Sequence, residues 1–221
     1  MRSYAQHCAA ARALDVIGDR WSLLIVRELL LRECRFSELA DGLPGIASNL
    51  LTERLRWLET SGVLERIATG GRSANLGYRL TPRGRELAPV MRELVRWGAP
   101  LMTDVGDDAW RGRWAATAVD AVFADIDTTG LPPIRAHLHP EGDDESVLVV
   151  VDPGQPVTVE IAQSDDGATV RVHAPPQRML ELLLGHEPDA QIEGDAAGLM
   201  ALIARGASRP PPRLEGPPAP A

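Results

Sequence analysis

Between Pro44 and Gly62, three leucines, Leu51, Leu55 and Leu58, recur at i, i+4 and i+7. That spacing draws a single stripe along an α-helix. A helix starting near Ala47 or Ser48 must therefore lay its leucines on a core and turn Ser48, Asn49, Thr52, Glu53 and Arg56 the other way, with Leu50 and Arg54 flanking the stripe. Pro44-Gly45 before the segment and Ser61-Gly62 after it punctuate the chain.

The flanking sequence supplies the core this helix needs. "CAAARALDVIG" from Cys8 favours a helix closed by Gly18. A second helix is predicted to start near Asp19 and run through "RWSLLIVRELLL", too apolar to be anything but buried. After "RECR", Ser37 is the expected cap of a short third helix, "ELADGL". Past Gly62, "VLERIAT" and "LGYRLT" read as a hairpin whose Gly-rich tip carries Arg72. Thr81-Pro82 then opens one long helix, "RGRELAPVMRELVRWGAPLM", by an N-cap and a first-turn proline. Its broad apolar stripe, with Leu87, Val90, Met91, Leu94, Val95 and Leu101, exceeds what one small domain covers and implies a partner surface.

Helix, helix, short helix, turn, polar-faced helix, hairpin, helix is the order of a winged helix-turn-helix. An exposed helix of Ser, Asn, Thr and Arg suits the major groove of duplex DNA, where Asn can pair bidentately with adenine and Arg with guanine. The predicted DNA-binding residues are Arg35, Ser37, Ser48, Asn49, Thr52, Glu53 and Arg56, with Arg72 and Asn75 of the hairpin reaching the minor groove or phosphates. Arg35, Arg66, Arg79, Arg83 and Arg85 are candidates for phosphate contacts. The alternative left open by pattern alone is a helical domain whose polar helix faces water.

Three stretches, "CAAARALDVIGDRWSLLIVRELLL", "RFSELADGLPGIASNLLTERLRWLETSGVLER" and "YRLTPRGRELAPVMRELVRWG", resemble the HxlR family of bacterial winged-helix transcription regulators. The resemblance covers residues 7 to 100 and includes the early Cys, the Gly-x-Arg-Trp step and the Leu-Thr-Pro-x-Gly turn. It implies a homodimer on an inverted-repeat DNA operator, with the first and last helices of the domain at the two-fold interface. It also makes Cys8 a candidate oxidant or electrophile sensor, with His7 and Arg12 as neighbours that favour a thiolate if close; the alternative is a small buried residue at the interface. Cys34, in a connecting segment, has no evident role.

A net charge of −8 argues against a polyanion partner only as an average. Up to Val105 there are 15 Arg against 12 acidic residues, a balance of +3; from Gly106 there are 8 against 19, a balance of −11. Two tasks are implied: a DNA-binding and dimerisation domain over 1–105 and a second domain over 106–208, followed by a disordered Pro-rich tail over 209–221. Two cysteines are too few for a disulfide framework. Without a long apolar run or the apolar core of a signal peptide, a cytoplasmic protein with no membrane association is expected.

In the second half, "WRGRWAATAVDAVFADI" reads as a helix with Trp110, Trp114, Val119, Val122 and Phe123 as core candidates. "IRAHLHP", "SVLVVVD", "VTVEIAQ" and "ATVRVHAP" follow as strands of an antiparallel meander, then two helices split by an edge strand, "AQIEG". This α+β pattern resembles the sterol-carrier-protein-like fold, through Leu-Leu-Gly and the Gly-Asp step before the last helix. The resemblance implies a tunnel for a small apolar or amphipathic effector lined by Met179, Leu182, Leu183, Leu199, Met200 and Ile203; the alternative for each is ordinary core. His137 and His139 share a strand face, with His173 and His186 elsewhere, but two His on a strand do not make a metal site, and the acidic turns, Asp165 and Asp166 included, lack calcium-loop spacing. No metal, cofactor or catalytic residue is predicted, because no nucleophile elbow, phosphate loop or zinc-protease motif is present. The expected function is a DNA-binding regulator, more specifically a repressor, that senses an apolar effector. A redox repressor switched at Cys8 and a lipid carrier with a protein-binding winged helix are the alternatives.

Overall fold

The computed structural model describes residues 3–69, 75–102, 109–162, 167–186 and 189–207. Arg72, Asp165, Asp166, most of the junction near 104–109 and the Pro-rich tail lie outside the described residues, as does the side chain of Asn75. The chain packs as two units, Met1–Met91 and Arg92–Ala221. Where the composition suggests a boundary at 105, the division falls inside a helix: Met91 is core, whereas Arg92 and Arg96 pair with Asp120 and Asp125 of the second unit.

In the first unit, α1 (Ala9–Ile17) ends at Gly18, whose N–H reaches Leu14 O at 2.9 Å and whose place a side chain could not take, since a Cβ would sit 2.5 Å from that carbonyl. α2 (Ser22–Leu31) begins three residues later than expected, because the Asp19 carboxylate accepts from the N–H groups of Trp21 (2.9 Å) and Ser22 (3.2 Å) from outside the helix. Cys34–Arg35 form a short strand, β1, that pattern reading treats as a connection. α3 (Phe36–Asp41) follows directly, which corrects the expected role of Ser37. Ser37 is inside the helix and exposed, and the carboxylate of Glu38 accepts from the Arg35 N–H at 2.6 Å instead.

α4 (Ser48–Thr60) buries Leu51, Leu55 and Leu58 completely. It ends in a Schellman turn: Val63 N–H donates to Leu58 O and Gly62 N–H to Glu59 O, with Gly62 at φ +72°. β2 (Leu64–Thr69) and β3 (Asn75–Leu80) pair antiparallel from Leu64↔Leu80 to Thr69↔Asn75, and β1 joins the other edge of β3. Thr81 Oγ1 accepts from Gly84 N–H at 3.1 Å to start α5 (Pro82–Arg85). Gly84 is required there, as a Cβ would lie 1.9 Å from Val63 O. The single long helix expected from Thr81 is two, α5 and α6 (Ala88–Gly98), followed by a 3-10 turn at Ala99–Leu101. Pro89 explains the break: it has no N–H to give Arg85 O, and its ring would strike that carbonyl.

In the second unit, α7 (Trp114–Phe123) is preceded by a clasp in which Gly112 N–H donates to Asp143 at 2.7 Å and buried Arg113 pairs with Glu145. The strands are β4 (Ile134–Pro140), β5 (Ser146–Val151), β6 (Thr158–Ala162) and β7 (Val170–Ala174), then α8 (Pro176–Leu183), β8 (Gln191–Gly194) and α9 (Ala196–Ala207). The sheet order is β6-β5-β4-β7-β8. Only β4 to β6 form a meander. β7 does not extend it: it lies parallel to β4, so the antiparallel sheet of the sequence reading is a mixed one. Burial accounts for this, because Val170, Val172 and Ala174 continue the inner face of Ala136, Leu138 and Pro140 at full burial, whereas the equivalent positions of β6, Val159 and Ile161, are half-exposed edge. Among the described residues no helix is long and apolar enough to cross a membrane.

Candidate nucleic-acid interface

Three ties of different chemistry hold α4. Its leucines enter the core with Ile25, Val26, Leu29 and Leu39. Trp57 Nε1 donates to Val16 O at 3.0 Å, fixing the helix to the end of α1. Arg54, largely covered, sets its Nε 3.5 Å from Asp19 Oδ1, the carboxylate that starts α2. Arg54 and Trp57 are the positioning residues that sequence periodicity passes over; both lie one position from a core leucine, where a side chain lines the edge of a buried stripe.

The opposite side of α4 is open. Ser48, Asn49, Glu53 and Arg56 are exposed and Thr52 is half-buried. Thr52 Oγ1 donates to Ser48 O at 2.8 Å, so this hydroxyl serves its own helix. Asn49 Oδ1 accepts from the Leu50 N–H at 2.9 Å, which leaves its NH2 group for a partner. Arg56 has no ion pair among the described residues, which suits a base-edge or phosphate contact. Arg35 and Ser37 are exposed at the start of α3.

The five expected phosphate ligands are not alike. Arg35, Arg83 and Arg85 are exposed without an ion pair among the described residues. Arg66 lies 3.2 Å from Glu59, and Arg79 lies 2.8 Å from Glu65 with Glu33 at 3.7 Å. Such exposed pairs contribute little and exchange readily for a phosphate. Asn75 opens β3 opposite Thr69, at the root of the hairpin tip.

The two cysteines differ in kind. Cys8 is exposed at the N-cap of α1, and the amides of Ala11 and Ala10 hold its thiol below the ordinary value. Arg12 is not the cause, being engaged with Asp15 at 3.4 Å. Cys34 is core, and burial pushes its thiol up to about 11.

The residues expected to line a tunnel differ in their surroundings. Met179, Leu182, Leu199 and Ile203 are buried core, Met200 is exposed, and Leu183 borders a cavity on the helical side of the unit. His137 is buried with Nε2 2.9 Å from Ser146 Oγ, and His139 lies between the rings of His137 and His173 at 6.2 and 5.1 Å. Among the described residues no group of three or more His, Cys, Asp or Glu could hold a metal ion.

The model of the HxlR-like helix-turn-helix matches residues 16–105. The HTH-type transcriptional regulator YvaP of Bacillus subtilis is 38% identical over 86 residues, 39% of this chain and 80% of its own. The regulator sll1512 of Synechocystis is 37% identical over 92 residues, 42% of this chain and 68% of its own. A crystal structure of the HTH-type regulator ytcD is 33% identical, covers 44% of this chain and 99% of its own, and has a TM-score of 0.41. The chain thus belongs to the HxlR-like helix-turn-helix family of DNA-binding transcriptional regulators.

Proposed function

We propose that the protein is a homodimeric repressor that places the exposed face of α4 in the major groove of each half of an inverted-repeat operator. The observation that carries this is the division of α4 into a fully buried leucine stripe and an open face of Ser48, Asn49, Glu53 and Arg56. Arg35, Ser37 and Thr52 flank that face. Dimerisation is supported by unpartnered apolar side chains on α1 and α6: Leu14 is 48% exposed, Leu94 42% and Trp97 54%. The second unit senses a small apolar effector, as its sterol-carrier-like pattern suggests. Since α6 crosses the division between the units, it is the element through which binding would alter the spacing of the two reading heads.

Gel shifts on the upstream region of the protein's own gene test this reading. Binding must fall steeply with salt, and Asn49→Ala with Arg56→Ala must lose specific binding while the dimer persists. Specific affinity unchanged in that double variant removes the assignment of the reading face.

A second reading has its own observation. Cys8, exposed and with its thiol below the ordinary value at the start of α1, is placed to act as a redox switch. Cys8→Ser abolishes oxidant response under this reading and leaves it intact under the effector reading.

A further inference from the structure

We propose that the second unit binds an uncharged apolar molecule of about nine heavy atoms in the cavity enclosed by the end of α6, α7, α8 and α9, a size scaled from the 150 Å³ cavity that admits benzene. The cavity measures about 230 Å³. Ala118 and Ala121 of α7 and Ala207 of α9 form its narrow-side-chain walls, and Val95, Leu180 and Leu184 complete them. One alanine exchanged for a leucine, three heavy atoms larger, would fill only about a third of this volume, so the space exceeds any single packing vacancy of that kind.

Charge selects the class of occupant. Arg96 is the one arginine on the wall, and its guanidinium is engaged by Glu93 and by Asp125, the latter at 3.2 Å. Arg92 beside it is held by Asp120 at 2.8 Å. Two arginines thus face three carboxylates, Glu93, Asp120 and Asp125. A ligand carboxylate would have to displace Glu93 or Asp125. A ligand cation would lose its hydration against an aliphatic wall. His186 at the exposed rim offers one imidazole for a single hydrogen bond, which fits a lone N–H or hydroxyl on an otherwise apolar frame.

The effect of the occupant on DNA rests on the sensor reading above; its binding does not. Calorimetric titration of the full chain with indole, benzoate and phenethylammonium, matched at about nine heavy atoms each, separates the charge classes. Indole is expected to bind saturably at one per chain, at least about tenfold tighter than either ion. Ala118→Phe and, independently, Val95→Trp fill the cavity from half-buried positions and are expected to abolish indole uptake. Benzoate binding as tightly as indole, no saturable indole binding, or undiminished uptake in a folded filled variant each overturn the site. Saturable indole uptake with unchanged operator affinity in gel shifts on the same samples confirms the site and overturns the sensor reading alone.

Discussion

Replacing Asp19 by alanine tests how the reading helix is held. The carboxylate accepts from two N–H groups at the start of α2, receives the hydroxyl of fully buried Ser22, and stands 3.5 Å from Arg54 of α4. Loss of a helix-capping carboxylate costs about 1 kcal/mol. The buried Ser22 hydroxyl, left without its acceptor, costs roughly 1–2 kcal/mol more. The Arg54 pair is partly solvated and adds a few tenths, giving about 3 kcal/mol in all. For a unit of this size that is a fall in Tm of roughly 10–20 °C, read by scanning calorimetry of the full chain. Asp19→Asn keeps an acceptor oxygen and should lose about a third as much. A double-mutant cycle with Arg54→Ala should give a coupling of about 0.5 kcal/mol. An Asp19→Ala protein that melts within about 2 °C of the parent would refute the assignment of Asp19 as the joint between α2 and α4.

Other perturbations have equally definite outcomes. Gly84→Ala forces a Cβ to within 1.9 Å of Val63 O, so the turn into α5 must shift, at about 3 kcal/mol or more in denaturant titration. Arg113→Ala removes the guanidinium that pairs with the Glu145 carboxylate beside the clasp and should cost about 2 kcal/mol, less than a fully buried pair because Glu145 is partly solvated. Alkylation by iodoacetamide near neutral pH should label Cys8 in the native protein and Cys34 only after unfolding. Because the Cys34 thiol rises from 9.0 to about 11 on folding, the unfolded chain ionises first; stability is unaffected by this group below pH 9 and falls as pH climbs from 9 through 11. Cys34→Ala should remove that slope.

What could be read from residues alone follows from how local the cause is. The leucines of α4, the Thr81-Pro82 start of α5 and the extent of β4 are set by neighbours within a few positions, and pattern finds them. The split of α5 from α6 was legible too, since Pro89 is in plain view, but an unbroken apolar stripe masks it. β1 was not: two residues have no periodicity, and Cys34–Arg35 become a strand only because β3 offers a free edge. The parallel return of β7 to β4 likewise depends on which edge buries Val170 and Val172, a choice that turn residues do not encode. Asp19, Arg54 and Trp57 were missed as positioning residues because their bonds join segments 35 to 41 residues apart. Of the residues expected to line a tunnel Leu183 borders the cavity, and its alanine walls were not legible for a related reason. Large apolar residues close space, and the alanines that leave it open carry no signal in sequence.

The ties on α4 have a consequence for how such a regulator can change its operator. Among the described residues the helix is held by Leu51, Arg54, Leu55, Trp57 and Leu58 on one side, by the Schellman turn at its end and by the pairing of Glu59 in its last turn with Arg66. Ser48, Asn49 and Arg56 have side chains that bind nothing in the body of the unit among the described residues, and Glu53 touches only its neighbour Arg54, at 3.5 Å. Surface positions of this kind shift stability by at most about 0.5 kcal/mol when replaced, whereas a base contact discriminates by about 1–3 kcal/mol. Stability and base preference are therefore written on separate residues of one helix. Exchanging Asn49 and Arg56 for other polar residues should move the preferred operator while the melting temperature stays put; a change that lowers both together would mean that the open face is part of the scaffold after all.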